Sequence, residues 1–317
     1  MKKDIRFYWQ RLGTLAIFAL LMIIMGTLSP QYFLSRNNII QIFLQSAINV
    51  LIAIGVFFPI LIAGIDLSVG SVLGLTGMVS ALLMSNGWDM IPAVLVGGVL
   101  LGAFLGFLNG TLVVTTKLHP FIITLGSNMI FRGLTLTISD ARPVYNLPRQ
   151  FSRTIAGYVG PIPVPVIIAI AVALIFAFVT LKTKLGRGIY ALGGNEEAAW
   201  LSGINTKRLK VVVFMFSGLC AGIAGIVMTA RMGAAEPLAG SGYESYAIAS
   251  AIIGGTSFFG GIGNIFGVVV GALIIGLINN ALNILNVQTY MQQIVMGLLI
   301  VGSVTLDRLL TRSSQKE

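Results

Sequence analysis

The 317 residues are 56% hydrophobic and only 9% charged, with a mean hydropathy of +0.94. A soluble domain carries about a quarter charged residues, so an ordinary water-soluble enzyme is excluded. The net charge of +10 would suit nucleic acid, but the basic residues sit at the ends of apolar runs without interleaved aromatics, which excludes that partner too.

A hydrocarbon core of about 30 Å takes about 20 apolar residues per helix. The first such run, 12–28, follows Met1-Lys2-Lys3 and lacks a small-x-small cleavage site behind it, so it reads as an uncleaved span. Further runs lie at 39–62, 67–85, 91–114, 121–138, 164–181, 211–230, 247–260, 262–283 and 289–306. The expectation is an all-α polytopic membrane protein with about ten spans. The third and eighth runs are interrupted by glycine and polar residues, which leaves eight or nine as the alternative. With the N-terminus inside, Lys2, Lys3, Arg6, Arg11, Lys117, Lys182, Lys184, Arg187, Lys207, Arg208, Lys210, Arg308, Arg312 and Lys316 fall on the cytoplasmic side. Arg36, Arg142, Arg149, Arg153 and Arg231 fall outside and Arg132 within a span. This bias obeys the positive-inside rule and returns the C-terminus to the cytoplasm.

The chain thus reads as a single membrane domain over 1–317, with an embedded core at 12–306. Residues 139–163, which include four prolines, form an outward loop that could serve as a docking surface, and 182–210 form a basic cytoplasmic loop. Gly98, Gly102, Gly106 and Gly110 recur every four residues and predict a flat ridge for helix packing. Gly263, Gly267 and Gly271 repeat that spacing. Gly64-Ile65, Gly70 and Gly74 echo Gly261-Ile262, Gly267 and Gly271, but Gly106-Phe107-Leu108-Asn109 echoes Gly276-Leu277-Ile278-Asn279 at another offset, so no repeat is assigned.

Ionisable groups beside lipid are costly and are functional candidates: Asp66, Arg132 and Glu244. Asp66, with Ser68 behind it, has the competing reading of a helix cap. Gln41, Gln45, Asn49, Asn109, Thr124, Asn128, Asn279 and Asn280 could bond a hydroxylated solute along a translocation path, with Ser68 a further path candidate, or simply bond helix to helix. No phosphate-binding Gly-x-x-x-x-Gly-Lys-[Ser/Thr] loop is present. The lone His119 has no second histidine with which to share a metal, and Cys220 is the only cysteine, so no catalytic or metal site is expected. In the cytoplasmic loop, Asn195 can cap a short helix whose first turn holds Glu196 and Glu197, with Gly203 suited to its end. Ala198 and Ala199 would leave a low surface for a partner groove.

Gly64-Ile65-Asp66-Leu67-Ser68-Val69-Gly70-Ser71, Ala191-Leu192-Gly193-Gly194-Asn195-Glu196 and Leu201-Ser202-Gly203-Ile204-Asn205 resemble the permeases of ribose-type ABC monosaccharide importers. So do Gly240-Ser241-Gly242-Tyr243-Glu244 and Gly254-Gly255-Thr256-Ser257, and the likeness runs in order from about Leu28 to Asp307. The resemblance implies a pore-forming subunit in the bacterial inner membrane that is not itself an enzyme. ATP and Mg would sit on a separate cytoplasmic ATPase. Further partners would be a second permease copy and a periplasmic or lipid-anchored sugar-binding protein. The segment holding Gly193, Gly194, Asn195, Glu196, Ala198, Ala199 and Gly203 matches the family's coupling segment to the ATPase. Trp200 stands where relatives often carry a basic or small polar residue, which suggests a particular ATPase surface. Ribose is the first expectation for the sugar, ahead of allose, xylose, galactose and autoinducer-2. The competing class is a self-sufficient, ion-gradient-driven transporter, which would normally need paired intramembrane acids where Asp66 is nearly alone.

Overall fold

The computed structural model describes the backbone of residues 2–315 and the side chains of residues 13–305. In chain order the helices are α1 (Lys2–Leu28), α2 (Pro30–Phe33), α3 (Arg36–Leu61), α4 (Val69–Ser85), α5 (Met90–Thr116), α6 (Pro120–Ile138) and α7 (Arg149–Ile155). A two-stranded hairpin, β1 (Tyr158–Val159) and β2 (Ile162–Pro163), separates α7 from α8 (Val164–Lys182). Then follow α9 (Lys184–Gly194), α10 (Glu196–Leu201), α11 (Thr206–Met232), α12 (Tyr243–Ile253), α13 (Ile265–Ile284) and α14 (Thr289–Gln315).

Helix α3 is the centre of the bundle because it is apolar all round from Val50 to Leu61, and such a stretch has no face to offer to water. Every residue from Leu51 to Leu61 is buried, and α11, α12, α13 and α8 pack around it. Phe57, Phe58, Phe176 and Phe216 close its lower half with ring centroids 5.0–5.2 Å apart in edge or tilted contacts.

Lipid gives no hydrophobic drive between helices, so close backbone approach must hold them together. The predicted ridge on α5 lies along α11. A Cβ on Gly102 would lie 2.9 Å from Gly222 Cα, and one on Gly110 would lie 2.7 Å from Val211 Cα. Gly106 meets the Phe214 carbonyl, and Gly98 meets the side chain of Ile226. The ridge begins inside a π-helical turn at Leu95–Leu100, which re-aims the first part of α5.

Six described helices are long and apolar enough to cross a membrane: α3, α5, α6, α8, α11 and α13. Three shorter apolar helical stretches cover Gly13–Leu28, Val69–Ser85 and Thr289–Thr305. The eighth expected span is corrected. Residues 247–260 are not one helix: α12 stops at Ile253, and 254–264 is irregular. The reason is glycine, since Gly255, Gly260 and Gly261 hold positive φ values of 85, 85 and 74°. Gly263 also lies in this irregular stretch, so only Gly267 and Gly271 of that predicted ridge are helical.

The irregular segments 62–68, 117–119 and 254–264 gather with α9 and α10 at one end of the bundle. That end carries Lys117, Lys182, Lys184, Arg187, Lys207, Arg208 and Lys210. The hairpin loop 139–163 occupies the other end, where Val144 pairs with Ala235. Lys2, Lys3, Arg6, Arg11, Arg308, Arg312 and Lys316 lie outside the described side chains.

Candidate functional site

Non-helical backbone at membrane depth must find partners inside the protein or line a polar cavity. The interruption between α3 and α4 does the first. Pro59 sits in the last turn of α3, and its carbonyl accepts from Gly64 N at 2.8 Å. Asp66 Oδ1 accepts from Ser68 N at 2.9 Å and from Ser68 Oγ at 2.6 Å, the short-range turn that this residue type forms readily. Asn109 Nδ2 of α5 donates to Ser68 Oγ at 2.8 Å. Thr124 of α6 accepts from Leu67 N at 3.1 Å and donates to the Ile65 carbonyl at 3.0 Å. Asp66, Ser68, Asn109 and Thr124 therefore form one buried clamp, each at most 1% exposed. The N-cap position of α4 is Ser68 and carries no side-chain cap bond, so Asp66 braces the turn before the helix and does not cap its first turn.

A second irregular stretch, Gly233–Gly242, runs back from the far end of α11 along α4 to the start of α12. Arg132 holds it. The guanidinium donates to the carbonyls of Pro237 at 2.9 Å, Ala239 at 2.7 Å and Gly70 at 3.3 Å. It stands about 18 Å along α6, near the middle of the bundle. Gly240 packs against the Gly70 carbonyl and Gly74 against the Ala239 carbonyl, contacts that a side chain would block. Glu244, in the first turn of α12, reaches the same glycine, Gly70. Around this clasp Asn128 and Glu244 are half-buried, while Ser241, Gly242 and Ser245 are exposed. Asn128 lies one helical turn before Arg132 on α6, and Ser241, Glu244 and Ser245 lie at the end of the stretch that Arg132 holds, so hydrogen-bonding groups of three kinds are brought near this clasp.

The remaining path candidates lie apart from that clasp. Asn49 Nδ2 donates to Ser250 Oγ at 2.9 Å and to the Ala272 carbonyl at 3.3 Å, bonding α3 to α12 and α13. Gln45 and Asn279 are half-buried on α3 and α13. The neighbouring Asn280 forms a reciprocal amide pair with Asn38, at 2.8 and 3.1 Å.

At the basic end, Asn195 Oδ1 accepts from Ala198 N at 2.9 Å and caps α10 as expected. Gly203 ends the turn with φ +79°. Glu196 pairs with Lys210 at 2.7 Å, tying α10 to the start of α11. Ala199 turns inward at 3% exposure, whereas Ala198 is on the surface. The outer face carries Trp200 and Leu201, 64% and 72% exposed. Two large apolar residues on so short a helix were not singled out as a pair by sequence reasoning. Their adjacency after Ala198-Ala199 was the available signal.

Sequence reasoning also missed Tyr190 and Asn264. Tyr190 Oη donates to the Gly263 carbonyl at 2.7 Å, and burial raises its phenol pKa, so it remains a donor. Asn264 Oδ1 accepts from Gly267 N at 2.7 Å and starts α13. An asparagine immediately before an apolar run was the signal for the latter.

Known sugar permeases match this sequence over nearly its whole length. The sequence is 60% identical over 313 residues to the D-allose transport system permease protein of Escherichia coli (strain K12), covering 98% of this chain and 96% of that protein. It is 42% identical over 312 residues to the ribose import permease protein of Haemophilus influenzae (strain ATCC 51907 / DSM 11121 / KW20 / Rd), covering 96% and 95%. It is 36% identical over 301 residues to the L-arabinose transport system permease protein of E. coli K12, covering 95% and 91%. No solved structure matches the chain. With residues 38–304 matching its profile, the chain belongs to the family of branched-chain amino acid transport system / permease components.

Proposed function

We propose that the chain carries an aldohexose of the D-allose type across the bacterial inner membrane. It is the permease subunit of an ATP-binding-cassette monosaccharide importer. The observation that carries the choice of sugar is the 60% identity to a D-allose permease against 42% to ribose permeases, both over nearly the whole chain. That difference favours allose over the initial expectation of ribose.

The path follows the polar surface of Asn128, Arg132, Ser241, Glu244 and Ser245, since exposed irregular backbone at this depth cannot face lipid. The basic end faces the cytoplasm, in keeping with the positive-inside rule. There Trp200 and Leu201 of α10 enter a groove on an ATPase that binds ATP and Mg. Tyr158, Val159 and Ile162 are exposed at the opposite end and present a docking surface to a sugar-binding protein. A second copy of the permease completes the path.

The test is uptake of labelled D-allose and D-ribose by cells lacking other permeases for these sugars. The chain is expressed in them with its ATPase and binding protein. Allose uptake well above ribose uptake is expected. Equal or greater ribose uptake would return the assignment to ribose.

A further inference from the structure

Helix α9 ends between the two interruptions at the basic end of the bundle. The Gly261 N–H donates to the Leu61 carbonyl at 2.8 Å, joining the end of α3 to the irregular segment that leads into α13. Gly193 lies against this same hydrogen bond. A Cβ there would overlap Leu61 O and lie 2.8 Å from Gly261 N. From the other side, a Cβ on Gly260 would lie 2.9 Å from Gly193 O and 3.0 Å from Ala63 N. Three residues before Gly193, Tyr190 Oη holds the Gly263 carbonyl at 2.7 Å. The helix has one buried side, made by Gly186, Ile189 and Leu192, so it is seated along its length and not hinged at one point. Only Gly194 separates Gly193 from Asn195, the cap of α10. A connection that short brings a displacement of α10 directly to the end of α9, with Asn195 the one residue between the two helices.

We propose that Tyr190 and Gly193 are positioning residues that couple movement of α10 to the interrupted helices α3 and α13. The inference rests on the coupling reading of Asn195–Gly203. It reassigns Gly193 from a contact with the ATPase to a contact inside the permease. The linkage continues across the first interruption: α3 leads through Asp66 and Ser68 into α4, whose Gly70 touches Gly240 and Glu244 at the polar surface. Transmission of this kind requires the two ATPase states to favour different positions of α10, because only a differential contact shifts an equilibrium.

The test uses the full complex of permease, ATPase and binding protein in liposomes. It compares wild type with Tyr190→Phe, which removes one hydroxyl and keeps the ring, and with Gly193→Ala. The readouts are ATPase co-purification, ATP hydrolysed, and sugar imported per ATP. Both variants should retain the ATPase and hydrolyse ATP, while sugar per ATP falls about fivefold, the scale of one lost hydrogen bond. Unchanged sugar per ATP in Tyr190→Phe overturns the proposal, even if Gly193→Ala fails to fold. So does loss of ATPase binding, or a fall of hydrolysis and import in proportion. If the wild-type permease itself captures no ATPase, the functional reading fails first, before any variant is compared.

Discussion

The segments 62–68 and 254–264 both connect consecutive helices at the basic end of the bundle, and both leave backbone groups to be bonded outside a helix, but they are held differently. The first is stitched by side chains: Asp66 and Ser68 within the segment, and Asn109 and Thr124 from neighbouring helices. The second relies on glycines at positive φ that bring backbone against backbone, with Tyr190 and Asn264 as its main side-chain supports. A side-chain clamp tolerates replacement by a group with the same hydrogen-bonding atoms. A glycine junction tolerates little added bulk, since what it requires is space and a backbone conformation that other residues rarely adopt. The stretch at 233–242 combines both, with Gly240 for close approach and Arg132 for three carbonyls.

The largest effect is expected at Arg132. Replacement by Leu strips donors from three carbonyls, and each buried unsatisfied group costs about 1–3 kcal/mol. The monodisperse fraction in detergent should collapse, and normal yield would mean that water replaces the guanidinium. Next comes Gly260→Val in the glycine junction. A residue forced into the left-handed region costs about 1–2 kcal/mol, and contact with Gly193 and Ala63 adds to it, so unfolding should shift to markedly lower temperature.

The clamp should discriminate more finely. Asp66→Leu leaves the Ser68 N–H and hydroxyl without their acceptor and should cost about 1–3 kcal/mol. Asp66→Asn keeps an acceptor and should fold and transport at close to wild-type levels. Complete loss of uptake in a well-folded Asp66→Asn protein would show that the charge itself is needed, as in an ion-coupled carrier. The smallest effect is expected for Glu196→Ala, about 0.3–1 kcal/mol for an exposed acid at a helix start. Thermal stability and ATPase co-purification should both be nearly unchanged.

These differences also explain what was legible in the sequence. Long apolar runs located α3, α5, α6, α8, α11 and α13 to within a few residues, because lipid demands both length and composition. Helix α10 was legible because Asn195, Glu196 and Glu197 are local signals. The eighth span was drawn through to residue 260 although Gly254, Gly255, Thr256 and Ser257 already interrupt it in the sequence, because Phe258 and Phe259 keep the stretch apolar enough on average to hide the end of α12 at Ile253. Asp66 announced its interruption by charge, but its clamp partners Asn109 and Thr124 come from elsewhere in the chain. The match of Gly64-Ile65, Gly70 and Gly74 with Gly261-Ile262, Gly267 and Gly271 lies across the two interruptions and the helices that follow them. It stayed unreadable because a rival offset was equally good. Tyr190 carried no local signal at all, since its partner is a carbonyl 73 residues away.

The most direct test of the account is sugar import into liposomes containing the permease, its ATPase and its binding protein. D-Allose entry is measured with ATP inside the ATPase compartment, without ATP, and with an imposed proton or sodium gradient alone. Import that requires ATP and ignores both gradients is the predicted result. Import by the permease alone under a gradient, with no ATPase present, would contradict it.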